Sequence, residues 1–184
     1  MWGKGEAGAG AIGLPVAMCR LYGGWPLRVL GACYVEFFRG IPVMLLLLFV
    51  YYGLPELAKN YQLPISLASS PIVAAILCFG LNYAAYEAEI YRAGLLSVPK
   101  GQWEAAESLG MSRALAFRRI ILPQAFRVIL PPMTSDFVAL FKDTSIVSQI
   151  AVVELTKEYM SISKASPGQL LEVGCLTAVM YLVL

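Results

Sequence analysis

Asn82, Tyr83, Tyr86, Glu87, Glu89, Tyr91 and Arg92 interrupt an apolar run that extends from Ile72 to about Leu96. In hydrocarbon an ionisable side chain costs about 2.5 to 3.5 kcal/mol on insertion scales, so each of these groups needs a partner or a water-filled cavity. Helical spacing sorts them into two faces, with Tyr83, Glu87 and Tyr91 recurring every four residues and Tyr86, Glu89 and Arg92 every three. Glu87 has no cation near it in sequence and lies beside two tyrosines that can both stack and hydrogen-bond. It is therefore the candidate for meeting an ammonium group of a substrate; the other reading pairs it with a basic residue of a neighbouring subunit. Glu89 and Arg92, of opposite sign at i and i+3, read as a structural ion pair where the helix leaves the bilayer.

A second polar group follows Pro131-Pro132, with Thr134-Ser135-Asp136 and then Lys142-Asp143-Thr144-Ser145. A small ligand carrying both an ammonium and a carboxylate needs acceptors and donors together, a mixture that Asn82, Tyr83, Glu87, Asp143, Thr144 and Ser145 supply. Helix capping by Asp143 or Thr144 ahead of Ile146 is the equal alternative.

Other chemistry is excluded by what the chain lacks. It has no histidine, which removes Ser-His catalysis and His-ligated zinc. Cys19, Cys33, Cys78 and Cys175 are far apart in apolar surroundings and read as small buried hydrophobes, neither a metal cluster nor a disulfide framework. No Gly-x-x-x-x-Gly-Lys-Ser/Thr loop occurs, so the chain is not expected to bind or hydrolyse ATP, and no cofactor is implied. The net charge of +2 is small and its basic residues form no continuous stripe, so no nucleic-acid partner is expected.

The elements that position these groups belong to a membrane protein. Of 184 residues 59% are hydrophobic and only 14% charged, with a mean hydropathy of +0.69. A soluble domain of this size must cover itself with more polar surface than that. Ala7 to Cys19 is apolar but short of the roughly 20 residues that span a bilayer. Arg20 to Pro26 reads as a loop and Leu27 to Phe38 as the lead-in to a span from Ile41 to Leu54, with a bend at Pro42. Glu56 to Ser70 is a polar connection punctuated by Pro55, Pro64 and Pro71, and Ile72 to Leu96 is the next span. Gln124 to Phe141 is another, kinked at Pro131-Pro132. Lys142 to Pro167 is a connection with a short helix expected from Ile146 to Lys157, and Gln169 to Leu184 opens the last span. The class is an all-α membrane protein of about five transmembrane helices, the first and last incomplete, forming one domain over residues 1–184. Positive charges at Lys100, Arg113, Arg118 and Arg119, with Arg20, Arg28 and Arg39, place those two loops in the cytoplasm.

Between the spans, residues 99–123 form a helix–turn–helix outside the membrane. Gln102 to Leu109 is its first helix, Pro99 approaches it, and Gly110 stops it. Ser112 caps a second helix running to Leu122, where Pro123 should bend the chain. Ala105, Ala106 and Leu109 give the first helix a thin apolar side that can seat in another protein's groove, while Glu104 and Glu107 stay solvated or salt-bridged.

The spacing Glu104-Ala105-Ala106, three residues, Gly110, nine residues, Ile120, one residue, Leu122-Pro123 resembles the loop signature of ABC importer permease subunits at every fixed position. Phe38-Arg39-Gly40-Ile41-Pro42, Ala85 to Arg92 and Lys142-Asp143-Thr144-Ser145 resemble the polar amino acid branch, from about Arg20 to the C-terminus. The resemblance implies a bacterial inner-membrane, multi-pass subunit that forms a translocation path for polar amino acids. Its implied partners are cytoplasmic ATP-binding subunits, a second permease subunit, alike or related, an external solute-binding protein, the amino acid substrate and membrane lipid. Glu104, Ala105, Ala106, Glu107, Gly110, Ile120, Leu122 and Pro123 would couple the chain to the ATPase. An ion-coupled secondary transporter is the alternative, but it usually shows internal repeats and none is visible. A membrane enzyme would need a nucleophile with a base, and a scaffold would not need the intramembrane charges.

Overall fold

The computed structural model describes residues 2–62, 70–150 and 152–183. In chain order they form α1 (Trp2–Tyr22), α2 (Trp25–Gly40), and α3 (Val43–Leu48), which continues through a π-helical turn (Phe49–Gly53) into α4 (Leu54–Asn60). Next come α5 (Pro71–Leu96), α6 (Lys100–Ser108), and α7 (Arg113–Ala116), which passes through a second π-helical turn (Phe117–Ile121) into α8 (Leu122–Asp143). A 3₁₀ segment (Thr144–Ile150), α9 (Leu155–Ala165), a 3₁₀ turn (Pro167–Gln169) and α10 (Leu170–Val183) complete the chain.

Large apolar side chains lie on the outside as well as the inside. Trp25, Leu30, Leu45, Tyr61, Leu171 and Leu182 are all exposed, as expected where lipid or other subunits replace water. Among the described residues Val43–Asn60 and Pro71–Leu96 are long and apolar enough to cross a membrane, while the apolar stretches Ala9–Tyr22 and Pro167–Val183 are shorter. The 22-residue α8 has the length for a span, about 33 Å at the usual helical rise, but carries Arg127, Asp136, Lys142 and Asp143. Of the cysteines expected in the interior only Cys78 is buried; Cys33 and Cys175 are exposed, Cys19 is intermediate, and all are free thiols. Apolar character in this chain does not imply an inward side, because its outward surface is apolar too.

Several boundaries differ from those read in the sequence. α1 begins before Ala7 and runs on to Tyr22, so the loop expected from Arg20 to Pro26 contracts to Gly23-Gly24. Pro26 falls in the first turn of α2, where no intrahelical N–H is needed. The helix that opens at Val43 runs past Leu54 to Asn60, so the first part of the expected connection is helical; Pro64 lies outside the described residues. At Pro123 the chain stays helical, with α7, the π-helical turn and α8 following one another without a break. Pro55 and Pro123 each sit two residues after a π-helical turn, and the residue four before each, Tyr51 or Arg119, lies inside that turn. The widened turn makes room for a proline ring that would strike the carbonyl of a regular α-helix. The helix expected from Ile146 to Lys157 is replaced by the 3₁₀ segment and α9. Glu154 sets the start of α9 by accepting from the backbone N–H groups of Thr156 (2.8 Å) and Lys157 (2.7 Å).

The described chain divides into two compact units, Met1–Gly40 with Gly80–Asp136 and Ile41–Phe79 with Phe137–Leu184. In the first, Ala17, Val35, Ala85 and Ala88 form one buried cluster, and Val98, Ile121, Ala125 and Ile129 form another. Small residues bring its helices close: a Cβ at Gly13 would lie 3.0 Å from the Ala84 carbonyl oxygen, and one at Gly94 only 2.2 Å from Ile129 Cγ1. Tyr34 Oη donates to the Leu81 carbonyl at 2.7 Å, tying α2 to α5. In the second unit Leu47, Ala74, Ala75, Cys78, Val147 and Ile150 are buried. There Tyr181 Oη donates to Glu154 Oε2 at 3.2 Å and lies 2.9 Å from Thr156 Oγ1, joining α10 to the start of α9.

The Gly94 contact is open to a direct test. Gly94→Ala should destabilise the detergent-solubilised protein by about 1 to 3 kcal/mol through overpacking against Ile129. In an Ile129→Ala background the same change should cost much less, which a double-mutant cycle of thermal midpoints would read.

Candidate functional site

Glu89 gathers the charges of the first unit. Its Oε2 accepts from Arg20 of α1 at 2.5 Å, and its Oε1 accepts from Arg92 Nε at 3.0 Å and also from an Arg92 terminal nitrogen. The three side chains are largely withdrawn from solvent. A carboxylate at this depth must be paired, and two guanidinium groups satisfy it from two helices. The Arg20 stem crosses α2 at Gly31, where a Cβ would stand 2.8 Å from Arg20 Cγ. The expected pair Glu89–Arg92 is present, and Arg20, which in the sequence reads as part of a loop, joins it from the last turn of α1.

Beside this cluster lies a cavity of about 350 Å³ whose polar lining is Arg39 from α2, Tyr86 and Glu89 from α5, and Asp136 from α8. The Arg39 guanidinium stands 5.2 Å from the centre of the Tyr86 ring, a cation–π arrangement that holds its charge toward the cavity. Asp136 Oδ2 is buried and accepts no hydrogen bond from the described residues. A buried carboxylate oxygen left without a donor is costly unless a ligand supplies one. The remaining lining, Ile90, Ala93, Gly94, Val128 and Pro132, is apolar. One cation, one open carboxylate oxygen and an apolar wall are what a small zwitterion requires. In the sequence Arg39 reads as a loop charge and as part of Phe38-Arg39-Gly40-Ile41-Pro42, and Asp136 as one member of a polar triplet. Their common signal is an ionisable residue next to a helix irregularity, Gly40 before Pro42 in one case and Pro131-Pro132 in the other.

The sequence-derived substrate candidates lie elsewhere. Asn82 is buried and its Nδ2 donates to the Phe38 carbonyl at 2.7 Å, linking α5 to α2. Tyr83 is buried with its ring 6.2 Å from that of Tyr86. Glu87 Oε2 accepts from Tyr91 Oη at 3.1 Å and lies 3.5 Å from where a Cβ on Gly10 would stand, against α1. None of these three lines the cavity. Asp143, Thr144 and Ser145 belong to the second unit, where Thr144 is buried and donates to the Phe141 carbonyl at 2.6 Å, turned back along α8 and not capping the 3₁₀ segment.

The helix–turn–helix is present with α6 at Lys100–Ser108 after Pro99. Its end is a complete Schellman arrangement: Met111 N donates to Ala106 O at 3.1 Å and Gly110 N to Glu107 O at 2.9 Å, with Gly110 at φ +71°. Ser112 Oγ accepts from Leu115 N at 3.4 Å, capping α7 as expected. Gln124 Nε2 donates to Gln102 Oε1 at 3.2 Å and to Ile120 O at 2.9 Å, so the loop is fastened to the start of α8. The thin apolar side is corrected in one respect: Ala106 is fully buried against its own chain, leaving Leu109 outward with Glu104, Ala105 and Glu107. The cause is helical geometry, because neighbouring residues are turned by about 100° from each other and Ala105 and Ala106 cannot share one narrow face. Ile120 packs into the cluster around Ile121, whereas Leu122 and Pro123 are exposed.

Residues 9–184 match the model of the binding-protein-dependent transport system inner membrane component. The chain belongs to this family. It is thus the membrane permease subunit of an ABC importer and not the ATPase. The permease is 39% identical over 173 residues to the L-cystine transport system permease protein TcyB of Bacillus subtilis, an alignment covering 94% of this chain and 70% of that one. It is 37% identical over 180 residues to the glutamine transport system permease protein GlnP of Escherichia coli, covering 98% and 79%. Its fold matches the crystal structure of an amino acid ABC transporter with histidines at TM-score 0.83 and 32% identity, covering 98% of this permease and 80% of that chain. The MetNI methionine ABC transporter, at 19% identity and TM-score 0.70, shares the fold.

Gly110 offers a local test of the loop. Gly110→Val forces a β-branched residue into the left-handed region, which should loosen the turn at a cost of about 1 to 2 kcal/mol. Limited trypsin digestion should then cleave at Arg113 faster than in wild type; an unchanged rate would mean that the turn does not depend on glycine.

Proposed function

We propose that this permease forms the translocation path of a multi-pass bacterial importer for amino acids and that the cavity between Arg39 and Asp136 receives the substrate's charged ends. The observation that carries this reading is the buried Asp136 Oδ2, unpartnered among the described residues, in the same small cavity as the Arg39 guanidinium. A substrate carboxylate pairs with Arg39, whose planar fork suits it, and the ammonium supplies the missing donor to Asp136. Relatives named for cystine and glutamine transport support the amino acid class.

Energy enters through the loop. Residues Glu104, Ala105, Glu107 and Gly110 present α6 to a cytoplasmic ATP-binding subunit, with Ala106 fixing α6 to its own chain and Ile120, Leu122 and Pro123 carrying its movement into α8. Because α8 also bears Asp136, displacement of α6 reaches the cavity through one continuous helical rod. A second permease subunit and an external solute-binding protein complete the importer.

In the permease–ATPase complex, Arg39→Ala and Asp136→Asn should each weaken binding of the transported amino acid by about ten-fold or more, since each removes a charge-assisted contact. Titration calorimetry reads this directly, and unchanged affinity in both variants would remove the cavity from the substrate path. Separately, Gly110→Val should reduce recovery of the ATPase subunit in pull-downs; full recovery would count against the docking role of the loop.

A further inference from the structure

We infer that the cavity discriminates against amino acids with a cationic side chain and takes those with an uncharged one, and that Arg20, which does not line it, sets this selectivity through Glu89. The inference rests on the reading that Arg39 and Asp136 hold the substrate's charged ends. Once those two are engaged, the carboxylate left in the lining is Glu89. Alone it would welcome a lysine or arginine side chain. It is not alone, because both of its oxygens are taken by guanidinium groups, Oε2 by Arg20 and Oε1 by Arg92. The cluster of Arg20, Glu89 and Arg92 therefore presents one net positive charge behind the cavity wall. In a partly desolvated site that charge repels a second cation, and Ile90, Ala93, Val128 and Pro132 offer a cationic side chain no acceptor. An uncharged side chain meets the same wall without penalty.

Arg20 is the informative position because its substitution changes the charge of the cluster without removing any side chain that lines the cavity. The experiment is titration of the permease–ATPase complex, without the solute-binding protein, with glutamine and lysine as probes of similar length. Wild type should bind glutamine at least about ten-fold more tightly than lysine, and Arg20→Gln should narrow that ratio by roughly ten-fold by removing one nearby positive charge. Arg20→Lys, which keeps the charge, should restore the wild-type ratio and so separates electrostatics from damage to the fold. Lysine binding as tightly as glutamine in wild type, or an unchanged ratio in a folded Arg20→Gln complex, would overturn the inference. Arg39→Ala in the same titration keeps the two claims apart. If it abolishes binding of both probes while wild type shows no preference, only the selectivity is wrong; if it leaves glutamine binding intact, the placement of the site is wrong.

Discussion

A carboxylate cannot stand alone in an apolar chain, and the first unit of this permease is arranged around how Glu89 avoids doing so. Two arginines reach it, one from the last turn of α1 and one from the following turn of α5. Gly31 leaves room for the Arg20 stem to cross α2 on the way. Breaking such a group from one side leaves a charge with half its partners, which is why buried ion pairs are strongly destabilising to dismantle even where they add little net stability. The same arrangement turns Glu89 from a binding group into a wall.

Against that settled charge, Asp136 stands out. Its exposed neighbours Thr134 and Ser135 return their hydroxyls to the Leu130 and Pro131 carbonyls, along a stretch of α8 in which Pro131 and Pro132 donate no backbone hydrogen bond. Asp136 makes no comparable return, and its Oδ2 stays buried without a donor among the described residues. Helix α8 thus carries a strain of polar satisfaction at the level of the cavity, while at its other end Gln124 fastens it to α6. This helix adjoins both α6, through Gln124, and the cavity, through Asp136, which gives a movement of α6 a physical route to the cavity.

The loop was the most legible feature of the sequence, because Pro99, Gly110 and Ser112 each have a backbone reason to be where they are, and the structure gives each that role. The span Ile72 to Leu96 and the Glu89–Arg92 pair were legible for the same kind of reason, one from apolar length and the other from helical spacing. The long-range partners were not. Nothing local relates Arg20 to Glu89 or places Arg39 and Asp136 in one cavity, since these depend on how α1, α2, α5 and α8 pack. Helix continues through Pro55 and Pro123 for one cause. Proline argues for a break only in a regular α-helix, and the π-helical turns before Pro55 and Pro123 remove the collision on which that argument rests.

The central claim is that Arg39 binds the substrate carboxylate, and a chemical cycle tests it most directly. Affinity of the permease–ATPase complex would be measured for the transported amino acid and its methyl ester, in wild type and in Arg39→Ala. The account predicts that esterification weakens binding strongly in wild type and adds little once Arg39 is gone, because both changes remove the same contact. An equal loss on esterification in the two proteins would show that the carboxylate is recognised elsewhere, and the cavity would no longer be the substrate site.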